Sequence, residues 1–283
     1  MFAFFLTAIL GGGNSVAVRF SNVELAPFWG ATIRLTASAL LFWLILFLWR
    51  IPLPQKRDAI VLSLNGFFSV GVSFGLLYFG LVRLQASLGS VIIALGPLMT
   101  FFFAVLHRIE SFRWQSLFGG VIALAGISIA IRAQLGVDIP IVSVLALITG
   151  AAFSAEGNVI LKIYLPKSNP MATNAITLSA GTAFLLLVSL LVGETHNMPV
   201  LPATWMAIAY LVIPGSVIMF YLFVWILSRW SASATSYVIM MFPIVATTAG
   251  TLLAGEKITL TFILGGTLVL IGVWIGALMR HSR

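Results

Sequence analysis

Charge sits almost entirely at the joints of this chain. Ten apolar runs follow one another, at about 2–19, 27–49, 58–81, 86–106, 114–132, 140–163, 172–192, 203–227, 234–254 and 259–279. Each approaches the roughly 20 residues that a helix needs to cross the hydrocarbon core of a bilayer. Lipid leaves no water to satisfy backbone groups, so such runs fold as helices whose hydrogen bonds are internal. Of the 283 residues 8% are charged and 61% hydrophobic, against roughly 25% charged in a soluble domain. A soluble enzyme, a disordered chain and a disulfide scaffold are thereby excluded. The chain predicts an all-α integral membrane protein of ten transmembrane helices, whose work is done inside the bilayer.

The net charge of +8 does not indicate a nucleic-acid partner. The basic residues stand singly at helix ends, as topology determinants do, not in a stripe with interleaved aromatics. With the amino terminus inside, Arg50, Lys56, Arg57, Arg108, Arg113, Lys162, Lys167, Arg229, Arg280 and Arg283 collect on the cytoplasmic side. Arg19, Arg83, Arg132 and Lys257 fall outside, and Arg34 lies within a helix. That asymmetry predicts both termini in the cytoplasm. The first twenty residues lack a basic leader and are broken by Gly11-Gly12-Gly13-Asn14. They read as the first span, not as a cleaved signal peptide.

One register recurs along the chain. Arg83, Ala86, Ser90, Pro97, Glu110, Gly119, Gly120 and Gly126 reappear 146 residues later as Arg229, Ala232, Ser236, Pro243, Glu256, Gly265, Gly266 and Gly272. A weaker offset of 143 joins Arg19 to Lys162, Pro27 to Pro170 and Ile33 to Ile176. This divides the chain into residues 1–138 and 139–283, each of five helices. An odd number inverts the second half relative to the first, the arrangement of many secondary transporters.

Intramembrane polar residues at matching places of such halves are the pointer to a binding site. Asn14 and Ser15 in the first span, and Glu156 and Asn158 in the sixth, fit that description; Tyr78, Ser90, Ser236 and Tyr237 are expected to join them around a central cavity. Pro97 and Pro243, read as mid-helix prolines, are expected to kink the fourth and ninth spans as gating elements or as static bends. Glu156 is either a coupling or substrate-amine group or a rim residue reaching water. Arg34 reads first as a structural counter-charge or carbonyl clamp, and second as a ligand for a substrate carboxylate.

Other chemistry is missing. Gly250 to Lys257 nearly spells a phosphate loop, but Glu256 separates Gly255 from Lys257 and a membrane helix replaces the required strand, so no ATP-driven step is expected. The three histidines are scattered and cysteine is absent. No metal, cofactor or catalytic constellation is expected. The sequence leaves oligomeric state open, a monomer being plausible.

These residues resemble a known family. The stretch Gly11-Gly12-Gly13-Asn14-Ser15-Val16-Ala17-Val18-Arg19 with Pro27 and Arg34, and the run from Ala86 through Pro97 to Glu110 and Gly126, are similar to the paired EamA repeats of the drug/metabolite transporter superfamily. Gly12 departs from it, since members often carry Trp there. Within the family the chain looks most like the YddG-type amino-acid exporters. The resemblance implies a bacterial inner-membrane transporter that exports small metabolites, amino acids (aromatic or other neutral) foremost, by alternating access. A multidrug exporter of the same fold, a lipid-handling protein and an intramembrane enzyme are the alternatives.

Overall fold

The computed structural model describes residues 2–132, 141–164, 169–232, 235 and 237–275. Among them eight helices are long and apolar enough to span a membrane: α1 (Phe2–Ser21), α2 (Pro27–Leu48), α3 (Lys56–Leu81), α4 (Ala86–Leu106), α6 (Ile141–Tyr164), α7 (Pro170–Val192), α8 (Pro202–Arg229) and α9 (Tyr237–Ala254). Two shorter apolar stretches lie in α5 (Trp114–Arg132) and in α10 (Leu260–Val273). No strand occurs among the described residues. The product is a multi-pass membrane protein, with Phe47, Phe102, Leu190 and Leu252 among many large apolar side chains exposed on its perimeter.

Helix starts follow local chemistry. Pro27, Pro170 and Pro202 each occupy the first turn, where a missing N–H costs nothing. Asn169 caps α7 by accepting from the Met171 amide at 2.9 Å, and Thr259 caps α10 through Phe262.

Most of the helix pairing is kept when α1–α5 are exchanged for α6–α10. Helix α2 packs on α7 and α5 on α10; α1 against α9 is matched by α6 against α4, and α1 against α8 by α6 against α3. The α5–α10 seam shows this most directly. A Cβ on Gly126 would stand 2.7 Å from the Gly265 carbonyl oxygen, and one on Gly272 would stand 2.5 Å from that of Gly119. The two helices therefore run antiparallel, and the 146-residue offset carries one contact onto the other. Small residues let membrane helices approach to backbone contact.

The spans are not uniform helices. Residues Gly66–Val72 of α3 and Ile213–Ile218 of α8 are π-helical. A π segment widens the turn and frees backbone carbonyls, and such segments concentrate at functional sites. Sequence reading had placed the interruption in the Gly11–Gly13 stretch, but α1 runs through it unbroken. Those glycines make room for neighbours instead: Gly11 faces the Phe242 ring, Gly12 faces Val245 and Gly13 faces the Tyr210 hydroxyl. The prolines also act differently from expectation. Helix α4 breaks at Ala94–Leu95 and restarts at Gly96, and α9 passes from a 3-10 turn at Tyr237–Met241 into α-helix at Phe242. Pro97 and Pro243 thus stand in the first turn of a new segment, not in mid-helix, because the ring excludes the helical carbonyl four residues before it.

Candidate functional site

A cavity of about 180 Å³ lies at the centre, walled by α1, α2, α3, α4, α6, α7, α8 and α9. Its two walls differ. One, from α3, α6 and α7, carries hydroxyl and amide groups among apolar side chains such as Val70, Leu147 and Leu178: Asn65, Ser69, Ser73, Ser154, Asn158, Thr173, Asn174 and Thr177. The other is apolar, with Phe74, Met219, Phe220, Phe223, Ile239 and Phe242. The α3 π segment supplies Ser69 and Val70 to the lining, and the α8 π segment ends just before Met219 on it.

The hydroxyl wall is held by the carbonyls that irregular or close-packed backbone leaves available. Asn65 Nδ2 donates to the Gly157 carbonyl at 2.9 Å, and Ser73 Oγ donates to that of Gly150 at 2.8 Å. On the α8 side the Gly215 carbonyl, inside the π segment, accepts twice. Asn14 Nδ2 donates at 3.0 Å and Arg34 Nη2 at 2.9 Å. Arg34 Nε also donates to Ser216 Oγ at 2.9 Å.

Arg34 is 1% exposed, and its guanidinium carbon lies 5.2 Å from the centroid of the Phe74 ring and 6.0 Å from that of Phe220. Among the described residues no carboxylate lies within ion-pair distance of it. A guanidinium cannot deprotonate, so the charge stays, held by dipoles and aromatic faces alone. Each charge-assisted bond here contributes about 1.5–3 kcal/mol. Arg34 thus holds the Gly215 carbonyl and Ser216 hydroxyl and places a positive field on a cavity otherwise lined by neutral groups.

Of the residues expected around the cavity, Asn14, Ser15, Asn158 and Arg34 line it. Tyr78, Ser90, Glu156 and Tyr237 are not brought to its wall. Tyr78 is fully buried in the main core, and Ser90 is buried with its hydroxyl given to the Ser87 carbonyl at 2.7 Å. Tyr237 packs against the core from the 3-10 turn. Ser236 lies outside the described residues. Glu156 is half-buried, its Oε1 2.6 Å from His107 Nε2 at the end of α4. Sequence reasoning missed the hydroxyl wall and the π segment, although Pro214-Gly215 was a signal for the latter.

One end of the molecule is tied by glutamates that cap helices distant in sequence. Glu194 accepts from the Phe28 and Trp29 amides at 3.0 and 2.8 Å and from Ser189 Oγ at 2.7 Å. Glu24 accepts from the Val200 and Leu201 amides at the start of α8. Glu256 accepts from the Ala86 and Ser87 amides at 2.7 and 3.1 Å and pairs with Arg19 at 3.0 Å. A carboxylate at a helix amino terminus satisfies free N–H groups and meets the positive end of the dipole. Each clasp joins residues 2–132 to residues 141–275. The Thr204 hydroxyl, followed by the Val200 and Leu201 amides, holds the Glu24 carboxyl below its ordinary value near 4.5, with burial opposing.

Comparison with known proteins agrees with this architecture. Residues 1–132 and 141–277 each match the family described as the EamA-like transporter family. An uncharacterized transporter of Archaeoglobus fulgidus is 25% identical over 95% of both chains. The uncharacterized inner membrane transporter YedA of Escherichia coli is 29% identical over 91% of this chain and 83% of its own. YoaV of Bacillus subtilis, also named as an uncharacterized transporter, is 23% identical over 97% and 95%. One crystal structure superposes with a TM-score of 0.71 at 17% identity, covering 98% of this chain and 96% of that one.

Proposed function

Because the chain belongs to the EamA-like transporter family, a membrane transporter rather than an enzyme, we propose that it exports small carboxylate-bearing metabolites, amino acids with aromatic or other neutral side chains foremost. The observation that carries this reading is Arg34. A permanent cation with no carboxylate partner among the described residues raises the potential of a central cavity whose remaining lining is neutral. Such a site favours a carboxylate and repels organic cations, which is the ground for preferring amino acids to cationic drugs. The aromatic wall suits an apolar body, and the hydroxyl wall suits the polar atoms of a zwitterion.

The mechanism we infer is alternating access between two inverted five-helix halves. It is supported by the closed pairing pattern, by the antiparallel α5–α10 seam and by the division of the family match into two segments. The glutamate clasps shut one end. The cavity runs from Arg34 toward the other end as far as Leu161, Thr173 and Val224. That other end carries Arg50, Lys56, Arg57, Arg108 and Arg113, so the positive-inside rule makes it cytoplasmic. The state described is then inward-facing, in a bacterial inner membrane with both termini inside. Breaks at Ala94–Leu95 and before Phe242 give α4 and α9 the bends that would close the inner side.

The test is uptake into proteoliposomes of purified protein, with a panel of labelled neutral amino acids and with labelled cationic dyes. Saturable amino-acid counterflow, lost in Arg34→Gln, is the expected result. Dye transport with no amino-acid counterflow would replace this reading by the multidrug one.

A further inference from the structure

The two π segments fall at the same place in both halves, and each is followed two residues later by a phenylalanine: Phe74 after Val72, and Phe220 after Ile218. Phe220 stands 146 positions after Phe74, so the two obey the same register as the seam glycines. Their rings touch edge to face, with centroids 5.7 Å apart and planes at 86°. Repeat mates that meet each other lie astride the axis that relates the halves. In alternating access the two halves exchange conformations, and that exchange maps this contact onto itself: Phe74 takes the place of Phe220, and Phe220 that of Phe74.

The Arg34 guanidinium lies over both rings, 5.2 Å from one centroid and 6.0 Å from the other. Its hydrogen bonds are of another kind. They go to the Gly215 carbonyl and the Ser216 hydroxyl, both on α8. The residues 146 positions earlier are Ser69 and Val70, and Thr177 stands 143 positions after Arg34, so no equivalent of these bonds exists in the other half. They depend on the α2–α8 spacing of one orientation. The rings come one from each half and serve either orientation, since a cation is held by an aromatic face wherever that face presents its quadrupole.

We propose that Phe74 and Phe220 are positioning residues that hold Arg34 whichever way the cavity faces, so that the empty carrier reorients and the protein performs net efflux instead of obligatory exchange. A buried guanidinium with no partner would block the return of an empty carrier. When the carrier is loaded, the substrate carboxylate is that partner; when it is empty, the ring pair is. This rests on the alternating access and on the role of Arg34 proposed above.

The test compares two fluxes of labelled phenylalanine at saturation in proteoliposomes of the purified full chain: efflux into substrate-free buffer, and exchange against external phenylalanine. In the unaltered chain the two should be comparable. Phe74→Leu and Phe220→Leu should each lower net efflux roughly tenfold more than exchange, and Phe74→Tyr and Phe220→Tyr should keep the unaltered ratio. Phe223→Leu, which removes a cavity ring outside the pair, should lower both fluxes in proportion. A proportional loss in the Phe74 and Phe220 variants too, or exchange far outrunning net efflux in the unaltered chain, would overturn the proposal. A substrate-free measurement separates this inference from the choice of substrate. A thiol at Leu77→Cys, on the cavity wall, is labelled from the clasped end by an impermeant maleimide only when the empty carrier opens there, and Phe220→Leu should slow that labelling. Slower labelling without any phenylalanine flux would remove the amino-acid reading and keep this one, while unchanged or faster labelling would overturn it. If the leucine variants do not fold, the ratio of fluxes in the unaltered chain decides alone.

Discussion

Replacing Glu194 by Gln should open the clasped end. In the structure its two oxygens take three hydrogen bonds, from the Phe28 amide, the Trp29 amide and Ser189 Oγ. Glutamine keeps one acceptor oxygen and turns the other into an NH2 donor. The least damaging orientation sets that donor against the Phe28 amide and leaves the Trp29 and Ser189 bonds as neutral ones. The lost bond is charge-assisted, worth about 1.5–3 kcal/mol, and the charge at the start of α2 contributes about 0.3–1 kcal/mol more. Discounted for a half-buried site, the closed end loses about 2 kcal/mol, or about 30-fold in its equilibrium with an open one. The absence of cysteine makes the measurement clean. A single Leu77→Cys places a thiol on the cavity wall near the clasped end. A membrane-impermeant maleimide added from that side should label it slowly in the parent and many-fold faster with Glu194→Gln. The reasoning fails if labelling is unchanged while thermal stability falls, because the clasp would then be a structural staple and not a gate.

Three further outcomes are expected. Glu24, whose carboxyl is held below its ordinary value by Thr204 and the Val200 and Leu201 amides, contributes stability that is fully present above the unfolded value near 4.5 and is lost as pH falls through the lower folded value. Thermal melts should therefore be flat in this contribution from pH 7 to about 5.5 and decline below about 4.5, and Glu24→Gln should remove that part of the slope. Glu156→Gln should leave counterflow and its pH profile unaltered, since the carboxylate pairs with His107 and does not line the cavity; a displaced pH profile would make that pair a coupling site. Gly126→Ala and Gly272→Ala should each lower stability by about 1–3 kcal/mol by overpacking the α5–α10 seam. Gly120→Ala, with ordinary contact distance, should be neutral or better, and melting temperatures in detergent would expose the opposite order.

Much of the fold was legible because the bilayer imposes it. An apolar run of about twenty residues has one solution in lipid, so the eight long spans could be placed from their boundaries alone. The seam was legible as well, since Gly119, Gly126, Gly265 and Gly272 keep one register. What escaped was everything decided between helices. The π segments at Gly66–Val72 and Ile213–Ile218 depend on neighbours that accept or supply hydrogen bonds across the bundle. Arg34 and Asn14 reward the exposed Gly215 carbonyl from 181 and 201 residues away. Ser69, Ser73, Thr173 and Thr177 gave no signal, because hydroxyls are common in membrane helices and most can bond to their own preceding turn; Ser69 and Thr177 do so here. The prolines marked the right places, but each stands in the first turn after a break in its span and not in mid-helix.

The symmetry and its exceptions separate mechanics from specificity. The α5–α10 seam maps onto itself under the 146-residue offset, so both halves feel the same contact and the seam can serve as a fixed axis in either orientation of the cavity. The cavity does not map onto itself. Arg34 and, 143 positions later, Thr177 both line it, so a permanent cation faces a hydroxyl at equivalent places. A carrier needs near-equivalent energies for its two orientations, which repeated packing supplies, but it also needs one preferred pose for its substrate, which a repeated site cannot define. The positions that break the repeat are accordingly those that should govern what is carried, while positions that obey it should govern how fast the halves exchange. On that division, and under the proposed mechanism, Arg34 and the hydroxyl groups beside it would set substrate choice, and the seam glycines the motion.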